Sequence, residues 1–71
     1  MNDIEFQLRG EYIELDKLLK ATGIAGSGGQ ARVMITDGLV TVDGQPEHRK
    51  TAKIRAGQRV SAQGQDVRVV A

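Results

Sequence analysis

Five cationic side chains and no acidic ones lie within the twelve residues 48–59, HRKTAKIRAGQR. Such a run often forms only a solvent-exposed strand face with no binding role, and this is the alternative interpretation. The whole chain, however, has a formal net charge of only +1, so its cations are unusually concentrated here. Lysine and arginine at this density attract phosphate groups, and each contact releases counterions. We therefore predict that this segment binds an anionic partner.

The acidic residues are as unevenly placed as the basic ones. Residues 1–16 hold five acids against one base, whereas residues 17–71 hold nine bases against four acids. A chain of this kind can present one cationic face although it is nearly neutral overall. The isoelectric point alone would conceal that face.

A glycine-rich segment, Gly26-Ser27-Gly28-Gly29, could hold a phosphate. It lacks the Lys-Ser/Thr ending and the spacing of a Walker motif, so nucleotide hydrolysis is not expected. The simpler interpretation is the entry to a capped helix, in which Gln30 bonds back to Ser27. Backbone N–H groups at the start of that helix could still bind a phosphate, and Arg32 is the side chain best placed to assist.

Catalytic and metal chemistry have little support in this sequence. His48 is the only histidine and cysteine is absent, so a transition-metal site would need more carboxylates than Glu47 supplies. His48 is instead expected in a surface turn, where it adds a pH-dependent charge to the basic run. Glu11, Glu14 and Asp16 could serve as paired general acid and base, but no nucleophile, metal ligand or oxyanion donor lies near them. We expect no enzyme, no cofactor and no small-molecule substrate.

Length and composition indicate one small domain with an aliphatic core. The chain has 71 residues, of which 39% are apolar, with one Tyr, one Phe and no Trp. The shortage of aromatic rings argues against single-strand binding by base stacking. No disulfide is possible, the acidic N-terminus is unlike a targeting peptide, and no apolar run could span a bilayer. We expect a cytoplasmic monomer that is not associated with a membrane.

Two short helices are indicated by the spacing of apolar residues and by glycines at the expected helix ends. Alternating apolar residues predict a strand over 4–8, before a helix over about 15–22 that ends near Gly23. Asp16 suits the first turn of that helix because it complements the helix dipole. Ser27 and Gly38 are the expected N-cap and C-terminal residue of a second helix.

The rest of the chain alternates like short strands. Residues 39–42 predict a strand that is closed by a tight turn at Asp43-Gly44, and 45–47 are expected to be a connector because Pro46 cannot donate to a ladder. In the basic segment, Ala52 and Ile54 would face inward and leave the cations on the opposite side. Two more strands follow, around residues 60–62 and 67–69. The predicted fold class is α+β, with two short packed helices against a small antiparallel β-sheet.

The order and spacing of these features resemble a known family, the alpha-L RNA-binding domain of the small-subunit ribosomal protein four type (the S-four type). The resemblance covers residues 12–70, and residues 1–11 would be an N-terminal strand extension of one domain, 1–71. It looks similar to short standalone bacterial members. The matching positions are Leu15-Asp16, Leu18-Leu19, Gly23, Ser27, Ala31, Met34-Ile35, Gly38, Val40, Val42, Asp43-Gly44, Lys50 to Arg55, and Gly57-Gln58.

The resemblance implies a non-catalytic module that binds structured RNA, such as ribosomal or transfer RNA, or the ribosome itself. Helix 2, the loop before it and the adjoining basic strand would make the contacts. Without stacking aromatics, recognition would follow the shape of the RNA backbone. The candidate RNA-binding residues are Ser27, Gly28, Gly29, Arg32, Arg49, Lys50, Lys53 and Arg55.

Three positions depart from the family pattern. Gly28, Val33 and Glu14 stand where many members have cations. This keeps open a second hypothesis, that the cationic face docks an acidic protein partner or a ribonucleoprotein. Binding to duplex DNA is a third hypothesis, although neither helix clearly presents side chains that would read bases in a major groove.

Overall fold

Two short helices and seven short strands make up the part of the chain that the computed structural model describes, residues 2–71. None of the described helices has the length and apolar character needed to cross a membrane. In chain order the elements are β1 (Asn2–Gln7), β2 (Ile13–Glu14), α1 (Leu15–Ala21), α2 (Gly28–Thr36), β3 (Val40–Val42), β4 (Gln45–Pro46), β5 (Lys53–Ile54), β6 (Arg59–Ala62) and β7 (Gln65–Val70).

The main sheet has five strands in the order β1-β7-β6-β3-β4, and β2 and β5 form a separate antiparallel pair. The α+β class with two packed helices is confirmed. The sheet is mixed rather than wholly antiparallel, because β1 runs parallel to β7 over its whole length. Alternation of apolar residues shows which face of a strand is buried, but it contains no information about the direction of the neighbouring strand. For this reason the predicted strand direction was wrong at β1.

The core is aliphatic, as the composition predicted. It joins the inner faces of both helices to the inner face of the sheet, and burial of each such side chain contributes about 1.5–3 kcal/mol. Alternating residues of β1 (Ile4 and Phe6), with Leu8 just beyond its end, are half-buried against this core. The largest fully buried side chains are Leu15, Leu18, Leu19, Ile35, Ile54, Val40, Val60, Val67 and Val69.

The start of α2 is capped from both sides. The Ser27 hydroxyl accepts a hydrogen bond from the backbone N–H of Gln30 at 3.1 Å, as predicted. The Gln30 side chain, however, accepts from the backbone N–H of Gly26 at 3.0 Å and not from Ser27. A Cβ at position 26 would lie only 3.0 Å from Gln30 Oε1, so the absence of a side chain at Gly26 permits this bond.

The turns follow the glycine signals, but the predicted connector at 45–47 is partly a strand. Asp43 and Gly44 have φ values of +52° and +82°, the left-handed pair that a tight hairpin turn requires. Gln45 and Pro46 then pair with β3 at the edge of the sheet. Pro46 is tolerated because an edge strand needs no donor on its outer side.

Candidate nucleic-acid interface

The first turn of α1 holds the basic segment in place. The first N–H groups of a helix have no partner inside the helix, and the Glu14 side chain makes no capping bond here. Instead, the N–H of Leu15 donates to the carbonyl oxygen of Ala52 at 2.9 Å, and that of Asp16 donates to Lys50 at 3.1 Å. The segment from Lys50 to Ala52 therefore acts as the N-terminal cap of α1.

Asp16 also links this segment to α2. Its side chain is largely buried and accepts hydrogen bonds from the backbone N–H of Lys17 at 2.9 Å and from Nε of Arg32 at 3.4 Å. One residue thus contacts Lys50 through its backbone and Arg32 through its carboxylate. Asp16, which the sequence placed only in a first helical turn, joins the two parts of the predicted site.

We use the term basic surface for the five exposed cations that lie around this junction. The alternation predicted for the segment is confirmed, since Ala52 and Ile54 are buried whereas Lys53 and Arg55 are exposed. A shallow depression of about 400 Å³ lies among Arg49, Thr51, Ala52 and Lys53. The members of the basic surface are Arg32, Arg49, Lys50, Lys53 and Arg55.

These five cations are not equally free to bind an anion. Arg49 donates from Nε and Nη2 to the two carboxylate oxygens of Glu47, at 3.0 and 3.1 Å. These hydrogen bonds lower the pKa of Glu47 and raise the pKa of Arg49. Lys50, Lys53 and Arg55 have no ion-pair partner among residues 2–71. The least neutralised charge therefore belongs to these three residues.

Tyr12 belongs to the same region, although the sequence had offered no aromatic platform there. Its side chain is 42% exposed, and its ring centre lies 5.0 Å from Nζ of Lys53 and 5.8 Å from Cζ of Arg55. The alternation of residues around Ile13 could have indicated that Tyr12 is exposed. Ile13 pairs with Ile54 in the β2–β5 ladder. Because Ile13 faces inward, its neighbour Tyr12 is directed to the exposed side, as are Lys53 and Arg55.

Arg59, the last cation of the run, belongs to a different face. It lies on the outer side of the main sheet, where a small depression of about 170 Å³ also borders Asp3, Glu5 and Arg68. There Glu5 and Arg68 form an ion pair at 3.1 Å. The acids of β1 therefore lie beside Arg59 and Arg68. For this reason we restrict the predicted anion-binding segment to residues 49–55.

The glycines at the start of α2 leave the helix terminus open. A Cβ at Gly28 would meet only Nη2 of Arg32, at 3.5 Å, and one at Gly29 would meet only Ser27 Oγ, at 3.9 Å. The Arg32 guanidinium is therefore adjacent to the first turn of its own helix. His48 is exposed, as expected, and its Nε2 lies 3.4 Å from the position that a Cβ of Gly38 would occupy.

Comparison with known proteins gives consistent matches. The family model of the S4 domain matches residues 6–70. Over 60 residues the chain is 52% identical to the Putative RNA-binding protein YbcJ of Escherichia coli strain K12 and to the Uncharacterized protein YbcJ of Shigella flexneri. In both cases this covers 84% of the chain and 86% of the relative.

A solved structure agrees with these matches. The solution structure of YbcJ from E. coli superposes with a TM-score of 0.76 at 47% identity, covering all of this chain and 91% of the other. That structure is described as revealing an alfaL motif involved in RNA-binding. The resemblance inferred from the sequence is thereby confirmed. Because the family model spans most of its length and the relatives share half of the aligned residues, the chain belongs to the S4 domain family.

Proposed function

We propose that this protein binds structured RNA through the basic surface and the first turn of α2, and that it catalyses no reaction. The observation that supports this most directly is the grouping of Lys50, Lys53 and Arg55. They are exposed, lack ion-pair partners among residues 2–71 and lie beside the junction that Asp16 makes with Arg32. The description of the similar E. coli structure as RNA-binding points the same way.

The chemistry of the basic surface suits a phosphate backbone. Lysine ammonium groups act as point charges, and arginine guanidinium groups can bind two phosphate oxygens at once. Such contacts fix the protein on the RNA without reading its sequence, as is usual for recognition of paired RNA by shape. Ribosomal or transfer RNA as the ligand, and a cytoplasmic location, stay predictions.

The start of α2 would supply the second group of contacts. Helix N-termini attract anions because free N–H groups and the helix dipole both point toward the ligand. Ser27, Gly28 and Gly29 present this terminus with little side-chain bulk, and Arg32 lies adjacent to it. A phosphate bound there would interact with backbone N–H groups and a guanidinium together.

A matched pair of double variants tests this proposal. Changing Lys53→Glu and Arg55→Glu should leave the protein folded and abolish binding to a labelled RNA hairpin. The control, Arg59→Glu with Arg68→Glu, makes the same change in net charge on the outer sheet face, where the cations lie among acids. Circular dichroism checks folding, and fluorescence anisotropy measures binding at two salt concentrations.

The control variant should keep most of the affinity. Equal loss in both variants would show that binding follows net charge alone, and unchanged affinity in the Lys53/Arg55 variant would exclude the basic surface. Capture of an acidic protein that persists after nuclease treatment, with no RNA binding at low salt, would instead favour the protein-docking hypothesis. Equal binding to a duplex DNA of matched length would contradict a preference for RNA.

A further inference from the structure

Tyr12 stands between the basic surface and a neighbouring groove. On one side are Lys53 and Arg55, both within 6 Å of its ring centre. The ring also lines a depression of about 370 Å³ whose other apolar walls are Phe6, Leu8 and Ile13. The chain therefore places an exposed aromatic ring, an apolar groove and two cations next to each other.

From this arrangement we infer that the Tyr12 groove binds an unpaired nucleobase of the RNA. The inference rests on the proposed function, which it extends from phosphate contacts to a feature of the RNA itself. A nucleotide combines a planar aromatic base with an adjoining phosphate. Tyrosine rings and arginine guanidinium planes are the groups on which unstacked bases pack, and nearby cations hold the backbone.

The charges around the groove complement this occupant. Arg9 lines the groove, so that cations flank Tyr12 at two places. Glu5 also lines the groove, but its carboxylate pairs with Arg68 at 3.1 Å, and that of Glu14 pairs with Lys17 at 3.1 Å. An anionic ligand with an apolar plane therefore fits the groove better than an acidic peptide that lacks one.

Two RNA hairpins that differ by one nucleotide provide the test. The first has a fully paired stem, and the second has the same stem with a single-nucleotide bulge. Tyr12 is the only tyrosine of the chain, so its ring protons can be followed by NMR without ambiguity. We expect an upfield ring-current shift of these protons with the bulged hairpin and a much smaller shift with the paired hairpin.

Affinity measurements on two variants of Tyr12 separate stacking from charge. Tyr12→Leu should weaken binding of the bulged hairpin about tenfold, the size expected for loss of one stacked base, and should weaken the paired hairpin less than twofold. Tyr12→Phe keeps the ring and should restore nearly full affinity. Leu39→Ala serves as the control, because Leu39 is another large apolar side chain that is more than half exposed.

Each outcome decides between the two proposals. Equal loss of affinity for both hairpins in Tyr12→Leu would show that the ring acts only by placing Lys53 and Arg55, and the nucleobase site would be wrong. No loss for either hairpin would also exclude it, while binding of the paired hairpin would keep the proposed function intact. If the wild-type protein bound neither hairpin at low salt, both proposals would fail.

Discussion

At the scale of single residues, Asp16 has the largest structural role in the candidate site. It is the only charged residue that is buried within residues 2–71. Its backbone and carboxylate together bind the basic segment, the start of α1 and α2. A buried carboxylate is costly unless its hydrogen bonds are made, so the two donors to this carboxylate, the Lys17 N–H and Nε of Arg32, also account for its presence in the interior.

Asp16→Ala should therefore destabilise the protein more than Arg32→Ala. Loss of the carboxylate leaves the Lys17 N–H without its acceptor, at an expected cost of about 1–3 kcal/mol in the free energy of unfolding. The Arg32 side chain is about half exposed, so its removal should cost under about 1 kcal/mol. Urea unfolding of both variants measures the two losses in the free energy of unfolding. A larger loss in Arg32→Ala than in Asp16→Ala would contradict the prediction.

The ion pair between Glu47 and Arg49 gives a pH prediction. The pKa of Glu47 is lowered in the folded protein, chiefly by the hydrogen bond from the Arg49 side chain. The pair thus stabilises the fold at pH above the unfolded glutamate pKa, and this contribution is lost as the pH falls through the lowered folded pKa. Because Arg49 is largely exposed, the change in stability should be small.

An NMR titration of the Glu47 side-chain carboxyl carbon measures this effect directly. In Arg49→Ala the pKa of Glu47 should rise toward the ordinary glutamate range, because its main hydrogen-bond donors have been removed. An unchanged titration midpoint in Arg49→Ala would mean that the ion pair does not persist in solution.

At the scale of elements, the first turn of α2 has residues that lower helix stability but leave the helix N-terminus open to a ligand. Two glycines follow the Ser27 cap, although alanine would favour a helix. Neither glycine has positive φ, so backbone conformation does not require them. The open space above the helix terminus is therefore the structural property that an alanine would change.

Gly29→Ala should make the protein more stable and a weaker binder of RNA. We expect a gain of about 0.5 kcal/mol, because alanine restricts the unfolded chain and its Cβ would make only an ordinary contact with Ser27 Oγ. The added methyl group would occupy the approach to the helix terminus and lower the affinity. Thermal unfolding and anisotropy titration measure both effects. Unchanged affinity would exclude phosphate binding at this terminus.

The sequence predicted those elements whose signals are local. Ser27 capped α2, the Asp43-Gly44 pair formed its tight turn, and the alternation of residues 52–55 placed the cations outside. These features depend on a few adjacent residues. The parallel pairing of β1 with β7 depends on residues about 60 positions apart, and no local pattern encodes it.

The candidate site was predictable in the same partial way. Its cations could be found from charge density, but their surroundings could not. Arg32 meets Asp16, and Arg59 lies beside the acids of β1, only through the tertiary fold. Tyr12 was overlooked because composition counts aromatic rings without showing which are exposed. Contact of the candidate residues with RNA stays a prediction.

At the scale of the whole molecule, the fold separates two kinds of charged surface. Acids of β1 lie with Arg59 and Arg68 on the outer sheet face, whereas the basic surface lies around the start of α1. The net charge of +1 therefore conceals one face with several free cations. Such a face attracts polyanions in a strongly salt-dependent way.

An NMR titration of the labelled protein with a structured ribosomal RNA fragment tests whether the basic surface and the start of α2 bind RNA. The titration is performed at two salt concentrations and repeated with a duplex DNA of matched length. We expect shifts that weaken with salt, are larger with RNA and are concentrated in residues 27–36 and 48–55, together with Tyr12. Shifts centred on the outer sheet face, or no shifts at low salt, would contradict this expectation.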